Sequence, residues 1–500
     1  MLDISSRLCY NEQMELIFHN HNDKYAVEQI MLMLFPGERP VYPAAPTGAR
    51  WARVGVSAGK TWLTATTLLH MDGAEYRGAA RVRRDLCADP VCTDRLRRRI
   101  LKQSFYRAAI RHLGHRPPWG ALSGVRPAKL MRAVLAEEPD ERAALRRFSR
   151  LYDVAPDRAA LALDAARCAR HAAAGLEPGD VCLYVGVPFC PTRCAYCSFV
   201  SQSVEKSMAL MEPFTQALLQ DIAATGQAAR DAGARPRALY LGGGTPTTLS
   251  PAQLERVFSA LEASFALSAC GEITVEAGRP DTITAEKLAV LRAHGVTRVS
   301  VNPQTMDDKV LAAIGRRHSA ADVLRALELV RAAGDFQVNM DLIAGLPEDS
   351  LSGFRATVEQ VLALGAENVT VHTLSLKKGS RILLEGTRLP PEDEVAEMVA
   401  LAGERLRGAG YAPYYLYRQK FMSGGLENVG WCRPGTENLY NICIMEELCS
   451  ILAMGAGGST KLIGPGGQLR RCFAPKYPRE YIDGIAAVCA DKQRIREGTT

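Results

Sequence analysis

No stretch of this 500-residue chain approaches the roughly 18 consecutive apolar residues that a membrane span requires, so no span is expected. Its start, MLDISSRLCYNEQ, lacks the charged lead and apolar core of a secretory signal, so none is expected. A strong excess of one charge is also missing: Lys and Arg number 61 against 54 Asp and Glu, a net +7. The basic stretch 77–116, with Arg95, Arg97, Arg98, Arg99 and Lys102, fits a solvated helix face better than a nucleic-acid patch, and no nucleic-acid partner is expected. A phosphate-binding loop is wanting too. Gly55-Val-Ser-Ala-Gly59-Lys60-Thr61 has three residues between its glycines where that loop needs four, and a tight turn between strands accounts for it better. Fourteen cysteines without an export signal imply reduced thiols and a cytoplasmic setting.

What is present centres on Leu183–Ser198, LYVGVPFCPTRCAYCS. The apolar, β-branched run Val181–Val187 reads as a buried strand, and Pro188 stops it. Cys190, Cys194 and Cys197 then fall in the loop at its C-terminal end. Thiolates are soft ligands for zinc, copper(I) and iron–sulfur clusters. Four would close a zinc site or an ordinary cluster; three leave one metal position open.

A chain of this length exceeds one typical domain. Residues 1–150 read as an α+β accessory domain, with strands over Met14–Phe18, Ala52–Val56 and Thr61–His70 and a helix over Val91–Leu113. Residues 151–178 read as a helical connector. From Val181 the rhythm changes: short β-branched runs (Ala238–Leu241, Ile273–Glu276, Arg298–Asn302, Gln337–Ile343, Asn368–Thr373) alternate with longer helical patterns. That alternation predicts an α/β fold over 179–410, a (βα)6 partial TIM-like barrel, with residues 411–500 as a C-terminal α+β extension. Barrels of this kind carry chemistry at the C-terminal ends of their strands.

The polar motifs fall at those ends. Gly242-Gly243-Gly244-Thr245-Pro246 follows the second strand, where glycines without Cβ atoms admit a ligand to the backbone. Glu276 follows the third and offers a carboxylate for an amino group or a ribose. Gln304 and Arg316 follow the fourth, one suited to ribose or a second ligand, the other to a two-pronged carboxylate contact. Asp341, in the fifth, suits ribose hydroxyls. Trp119 and Arg126, in a turn-rich stretch, fit a structural corner better than a substrate contact, and Cys432, Cys443 and Cys449 are too irregularly spaced for a second cluster.

Cys190-x3-Cys194-x2-Cys197 with Tyr196 before its last cysteine resembles the signature of the radical S-adenosylmethionine (SAM) enzymes. The resemblance implies a [4Fe–4S] cluster on Cys190, Cys194 and Cys197, its fourth iron chelated by SAM. The glycine motif and the later positions resemble the oxygen-independent coproporphyrinogen III oxidase branch, which includes the haem chaperones. There Tyr184, Tyr196, Glu276, Gln304, Arg316 and Asp341 match SAM-binding positions, and Gly243, Gly244 and Thr245 contribute to one or two SAM sites. Trp119–Lys129, Glu427–Gly430, Tyr440–Ile442 and Met454–Lys461 look like the HemZ-type coproporphyrinogen dehydrogenases. The implied activity is oxidative decarboxylation of coproporphyrinogen III propionates to vinyl groups, with a porphyrinogen or haem-like tetrapyrrole and a flavodoxin- or ferredoxin-class electron donor as partners. Arg126, Arg279, Arg316, Lys377 and Lys378 are candidates to hold the remaining carboxylates. One departure stands out: the established oxidases carry a further cysteine two residues after the third ligand, where this chain has Phe199, and the chaperone branch lacks that cysteine too. A haem chaperone and a radical SAM enzyme with another substrate are the alternatives.

Overall fold

The computed structural model describes residues 12–197, 202–375, 380–419 and 422–496, so Phe199, Lys377 and Lys378 lie outside the described residues. The chain forms two compact units. One holds residues 1–163 with 385–388 and 418–427; the other holds 164–384, 389–417 and 428–500. The division falls inside the helix Pro156–Ala174.

The first unit is built on strands β1 (Glu12–His19), β2 (Glu38–Val41), β3 (Trp51–Ala58), β4 (Trp62–Met71) and β5 (Ala74–Arg83), ordered β2-β1-β3-β4-β5. The β2-β1-β3 pairings are parallel and the β3-β4-β5 pairings antiparallel. Gly59-Lys60-Thr61 is the turn between β3 and β4, closed by Gly59 N–H donating to the Trp62 carbonyl. The helix Pro90–Leu113 covers the sheet. It opens on Asp89, which accepts from Cys92 N–H at 2.8 Å with Pro at its first turn, and ends on left-handed Gly114. Its approach is close at Gly78, where a Cβ would lie 2.0 Å from the Ser104 carbonyl oxygen. Trp119 is fully buried and its indole N–H donates to Glu427 at 2.6 Å; Arg158 pairs with the same carboxylate at 2.9 Å. The turn-rich stretch is therefore the structural corner that its composition suggests.

The second unit is organised by an eleven-stranded sheet. Its strands are β6 (Asp180–Val187), β9 (Arg235–Gly243), β10 (Glu272–Val275), β11 (Arg298–Ser300), β12 (Gln337–Ala344), β13 (Asn368–Thr373), β14 (Ala412–Tyr417), β15 (Asn428–Cys432), β16 (Ser450–Gly455), β17 (Ser459–Ile463) and β18 (Leu469–Phe473); β7 (Phe189–Cys190) and β8 (Gln202–Ser203) form a separate two-stranded ladder. The six strands from β6 through β9 to β13 are parallel neighbours with helical crossovers, the expected partial barrel. Both faces of β6 are buried, which is why it reads as a nearly continuous apolar run. Crossover helices start where the sequence supplies caps: Ser250 with Gln253 and Ser319 with Asp322 form capping boxes, and Thr284 and Ser350 accept from backbone N–H groups. Residues beyond 410 lengthen this same sheet at both ends. β15 and β14 continue antiparallel beyond β13, while β16 pairs parallel with β6 and carries β17 and β18. Among the described residues, no helix is long and apolar enough to cross a membrane.

Candidate active site

The cysteine loop is fixed from two sides. On one, Gly244 N–H donates to the Val187 carbonyl and Thr245 N–H to the Phe189 carbonyl, each at 2.7 Å, and the Thr245 hydroxyl reaches the Cys190 sulfur at 3.5 Å. A Cβ on Gly244 would sit 2.4 Å from the Phe189 oxygen, and Gly243 has φ +109°. The glycines that the sequence offers as room for a ligand are thus required first by the cysteine-bearing backbone itself. On the other side, Ala195 N–H donates to the Ile314 carbonyl at 3.0 Å and the Thr192 hydroxyl to the Gly315 carbonyl at 3.3 Å.

Two buried guanidinium groups stand beside the Cys194 sulfur. Arg279 donates to the Thr192 carbonyl and hydroxyl at 3.2 and 3.1 Å and lies 4.0 Å from the Cys194 sulfur. Arg316 donates to the Asn302 carbonyl at 2.7 Å and to the Tyr196 hydroxyl at 3.2 Å. Burial opposes ionisation of Cys194, yet Arg316 and Arg279, helped by Tyr196, hold its thiol below the ordinary range. A thiolate is the form that ligates iron, so the loop's electrostatics fit an iron–sulfur cluster. These contacts occupy Arg279, with Asp281 at 3.3 Å, and remove it from the candidates for a substrate carboxylate.

The neighbouring strand ends carry the opposite sign. Glu276 accepts from the Tyr240 hydroxyl, and burial pushes its carboxyl up to about 7; Asp341 adds to that shift while Tyr240, the Gly243 N–H and His372 oppose it. Burial would raise Asp341 as well, but His372, Asn339 and Thr370 hold it below the usual carboxylate range. Its oxygens accept from Asn302 at 2.8 Å and Asn339 at 2.9 Å, with the His372 ring 3.8 Å away. Gln304 is buried and left-handed, φ +69°, a conformation that costs a non-glycine residue about 1 kcal/mol or more. It is held there because its N–H donates to the Asp341 carbonyl at 2.9 Å while its own carbonyl accepts from Ile343 N–H at 3.0 Å. Tyr184 lies in a stack with Tyr240 and Tyr440, centroids 6.4 and 6.1 Å distant.

Every residue singled out as a ligand or SAM contact therefore lies in the second unit, in or just beyond a parallel strand or on the turn that holds the cysteine loop. Asn302, Asn339, His372, Thr192, Tyr240 and Tyr440 escape the sequence reading. Asn302 ends the run Arg298–Asn302 and Asn339 lies two residues before Asp341, places from which both could have been found, and Tyr440 falls in the segment Tyr440–Ile442; nothing local marks Thr192, Tyr240 or His372 as contacts.

The radical SAM superfamily model matches residues 184–361. The oxygen-independent coproporphyrinogen-III oxidase-like protein HemZ of Bacillus subtilis is 36% identical over 399 residues, 78% of this chain and 80% of that protein. The heme chaperone HemW of the same organism is 32% identical over 255 residues, 49% of this chain and 64% of that protein. Among solved structures, coproporphyrinogen III oxidase (HemN) from Escherichia coli superposes with a TM-score of 0.51 at 22% identity, covering 64% of this chain and 72% of that one, and shares the fold. The architecture is that of a radical SAM partial barrel. The chain belongs to the radical SAM superfamily and, within it, to the family of oxygen-independent coproporphyrinogen-III oxidase-like proteins. A [4Fe–4S] cluster and S-adenosylmethionine are the cofactors of this superfamily.

Proposed function

We propose that this radical SAM enzyme converts propionate side chains of coproporphyrinogen III to vinyl groups without oxygen, in a cytoplasmic setting. The observation that carries the reading is the polarity of the barrel mouth. Arg279 and Arg316 stand beside Cys194 in the cysteine loop, and Glu276 and Asp341 lie at the neighbouring strand ends. SAM has the matching polarity, with a carboxylate beside its ammonium and sulfonium cations. Cys190, Cys194 and Cys197 would hold the cluster, with Tyr196 and Arg316 bracing the loop. Gly243, Gly244 and Thr245 would line the amino-acid end of SAM, Glu276 would take its ammonium, and Asp341 and Gln304 its ribose, with Tyr184 closing the floor.

The cluster on Cys190, Cys194 and Cys197 together with SAM, given one electron from a flavodoxin- or ferredoxin-class donor, would supply the radical chemistry that removes a hydrogen atom from a propionate β-carbon. The chain's own part is to orient and to exclude water. Asn302, Asn339 and His372 fix the Asp341 carboxylate before any ligand arrives. The propionate carboxylate would then leave as CO2 and one electron would pass to an external one-electron acceptor, which leaves the alkene.

Anaerobic reconstitution with reductant, SAM and coproporphyrinogen III tests this. A product lighter by CO2 and two hydrogens for each propionate supports it. The HemW relatives and Phe199 favour a second reading, a haem chaperone. Stoichiometric haem binding with no vinyl product would replace the first reading with that one.

A further inference from the structure

Three thiols outside this site meet at the opposite end of the parallel sheet. Cys182 lies early in β6, two residues before Tyr184 and on the same face. Cys443 comes from the helix Leu439–Glu446, and Cys449 immediately precedes β16. All three are buried, their sulfurs lie within 4.8 Å of one another, and the Cys182 and Cys449 sulfurs are 3.6 Å apart. Their surroundings are apolar: Ala238, Ile451, Leu448 and the tyrosine stack. The stack lies between them and the cysteine loop, which begins six residues beyond Cys182, roughly 20 Å along the strand.

The backbones that present these sulfurs are fixed independently of them. β16 pairs with β6 in a register that sets Ile451 opposite Cys182. The helix bearing Cys443 is capped by Asn438, which accepts from Asn441 N–H at 2.7 Å, and is tied to Glu272, which accepts from Leu439 N–H at 3.1 Å. A metal–sulfur bond of about 2.3 Å places sulfurs around one ion about 3.8–4.0 Å apart, the spacing that this triangle approaches. Among the described residues, no histidine or carboxylate joins the group. Zinc prefers four donors, whereas monovalent copper is satisfied by two or three sulfurs.

We propose that Cys182, Cys443 and Cys449 form a second metal site, an all-sulfur, three-coordinate pocket that takes one soft d10 cation, Cu(I) in preference to Zn(II). Binding exchanges thiol protons for the ion and involves no change of oxidation state. The ion would clip the helix Leu439–Glu446 and the start of β16 to β6, joining positions 267 residues apart in the chain.

The test uses the full chain with Cys190, Cys194 and Cys197 each replaced by Ala, prepared anaerobically under reduction and titrated with Cu(I) against a chromophoric chelator. One Cu(I) per chain is expected, with near-ultraviolet sulfur-to-copper absorption and a raised melting temperature. Adding Cys443→Ser, or Cys449→Ala if that variant fails to fold, should weaken binding about 100-fold or more. X-ray absorption at the copper edge of the parent needs no further variant and should show sulfur neighbours alone. No copper retained, equal retention in both variants, nitrogen or oxygen neighbours, or Zn(II) held in preference at equal free concentration would each overturn the proposal.

Discussion

Glu276 and Asp341 share one barrel mouth and shift in opposite directions. Glu276 is raised from its ordinary 4.5 to about 7, so between those values the folded chain binds a proton that the unfolded chain has lost. Its contribution to stability is therefore present below 4.5 and falls as pH rises through this window. The melting temperature of Glu276→Gln, compared with the parent at each pH, should show this slope removed between about 4.5 and 7. A cationic ligand reverses the preference by favouring the carboxylate, so SAM should bind the parent more tightly at pH 8 than at pH 6, and Glu276→Gln should lose most of that difference. Asp341→Ala leaves the cysteine loop untouched. It should weaken SAM binding about 10- to 100-fold, or ~1.4–2.7 kcal/mol, with iron and sulfide contents unchanged, as equilibrium dialysis with elemental analysis would read. At this scale the sequence reveals residues whose chemistry is written in short spacings, the cysteine triplet above all. His372 and Thr192 matter through partners far along the chain, and no spacing announces them. The Cys182–Cys443–Cys449 group shows the same limit: reading Cys432, Cys443 and Cys449 together by position misses that Cys182 supplies the third sulfur.

Gly244 is where two elements touch. Its N–H holds β6 at Val187, and no Cβ fits against Phe189. Gly244→Ala should push the cysteine loop outward and lower cluster assembly several-fold, read as iron per chain, while the far-ultraviolet circular dichroism stays that of the parent. Retained iron and colour would mean that the loop yields without consequence. The barrel strands and crossover helices are legible because short apolar and β-branched runs alternate with helical patterns that keep their caps. β5 is not. Its Ala74–Arg83 sequence alternates exposed arginines with alanine and glycine, and it is a strand because the β4 ladder templates it over its full length. β2, of four residues, is likewise defined by its neighbour.

The second unit depends on its far C-terminal residues for closure of the parallel sheet. β16 covers the edge of β6. Asp221, fully buried on the long helix Val204–Asp231, accepts from Gly455 N–H at 2.9 Å and from the Tyr481 hydroxyl at 2.8 Å, and pairs with Lys492 at 2.7 Å. Removing one partner of a buried pair costs about 3–5 kcal/mol. Lys492→Met should lower the urea midpoint accordingly, and a chain ending at Cys449 should be recovered as aggregate, because it leaves both Asp221 and the β6 edge unsatisfied. Full soluble yield of that truncation would show that the extension is dispensable. The sequence predicts 411–500 as a C-terminal α+β extension, with no local sign of where its strands pair. Their role as sheet edges appears only when pairing across hundreds of residues is known.

The measurement that bears most directly on the account is electron paramagnetic resonance of the reconstituted, reduced protein with and without SAM. A [4Fe–4S] signal dependent on Cys190, Cys194 and Cys197 should change when SAM is added, because SAM reaches the iron that no cysteine holds, and Cys194→Ala should abolish it. A spectrum unchanged by saturating SAM, or a cluster signal that survives Cys194→Ala, would contradict the account.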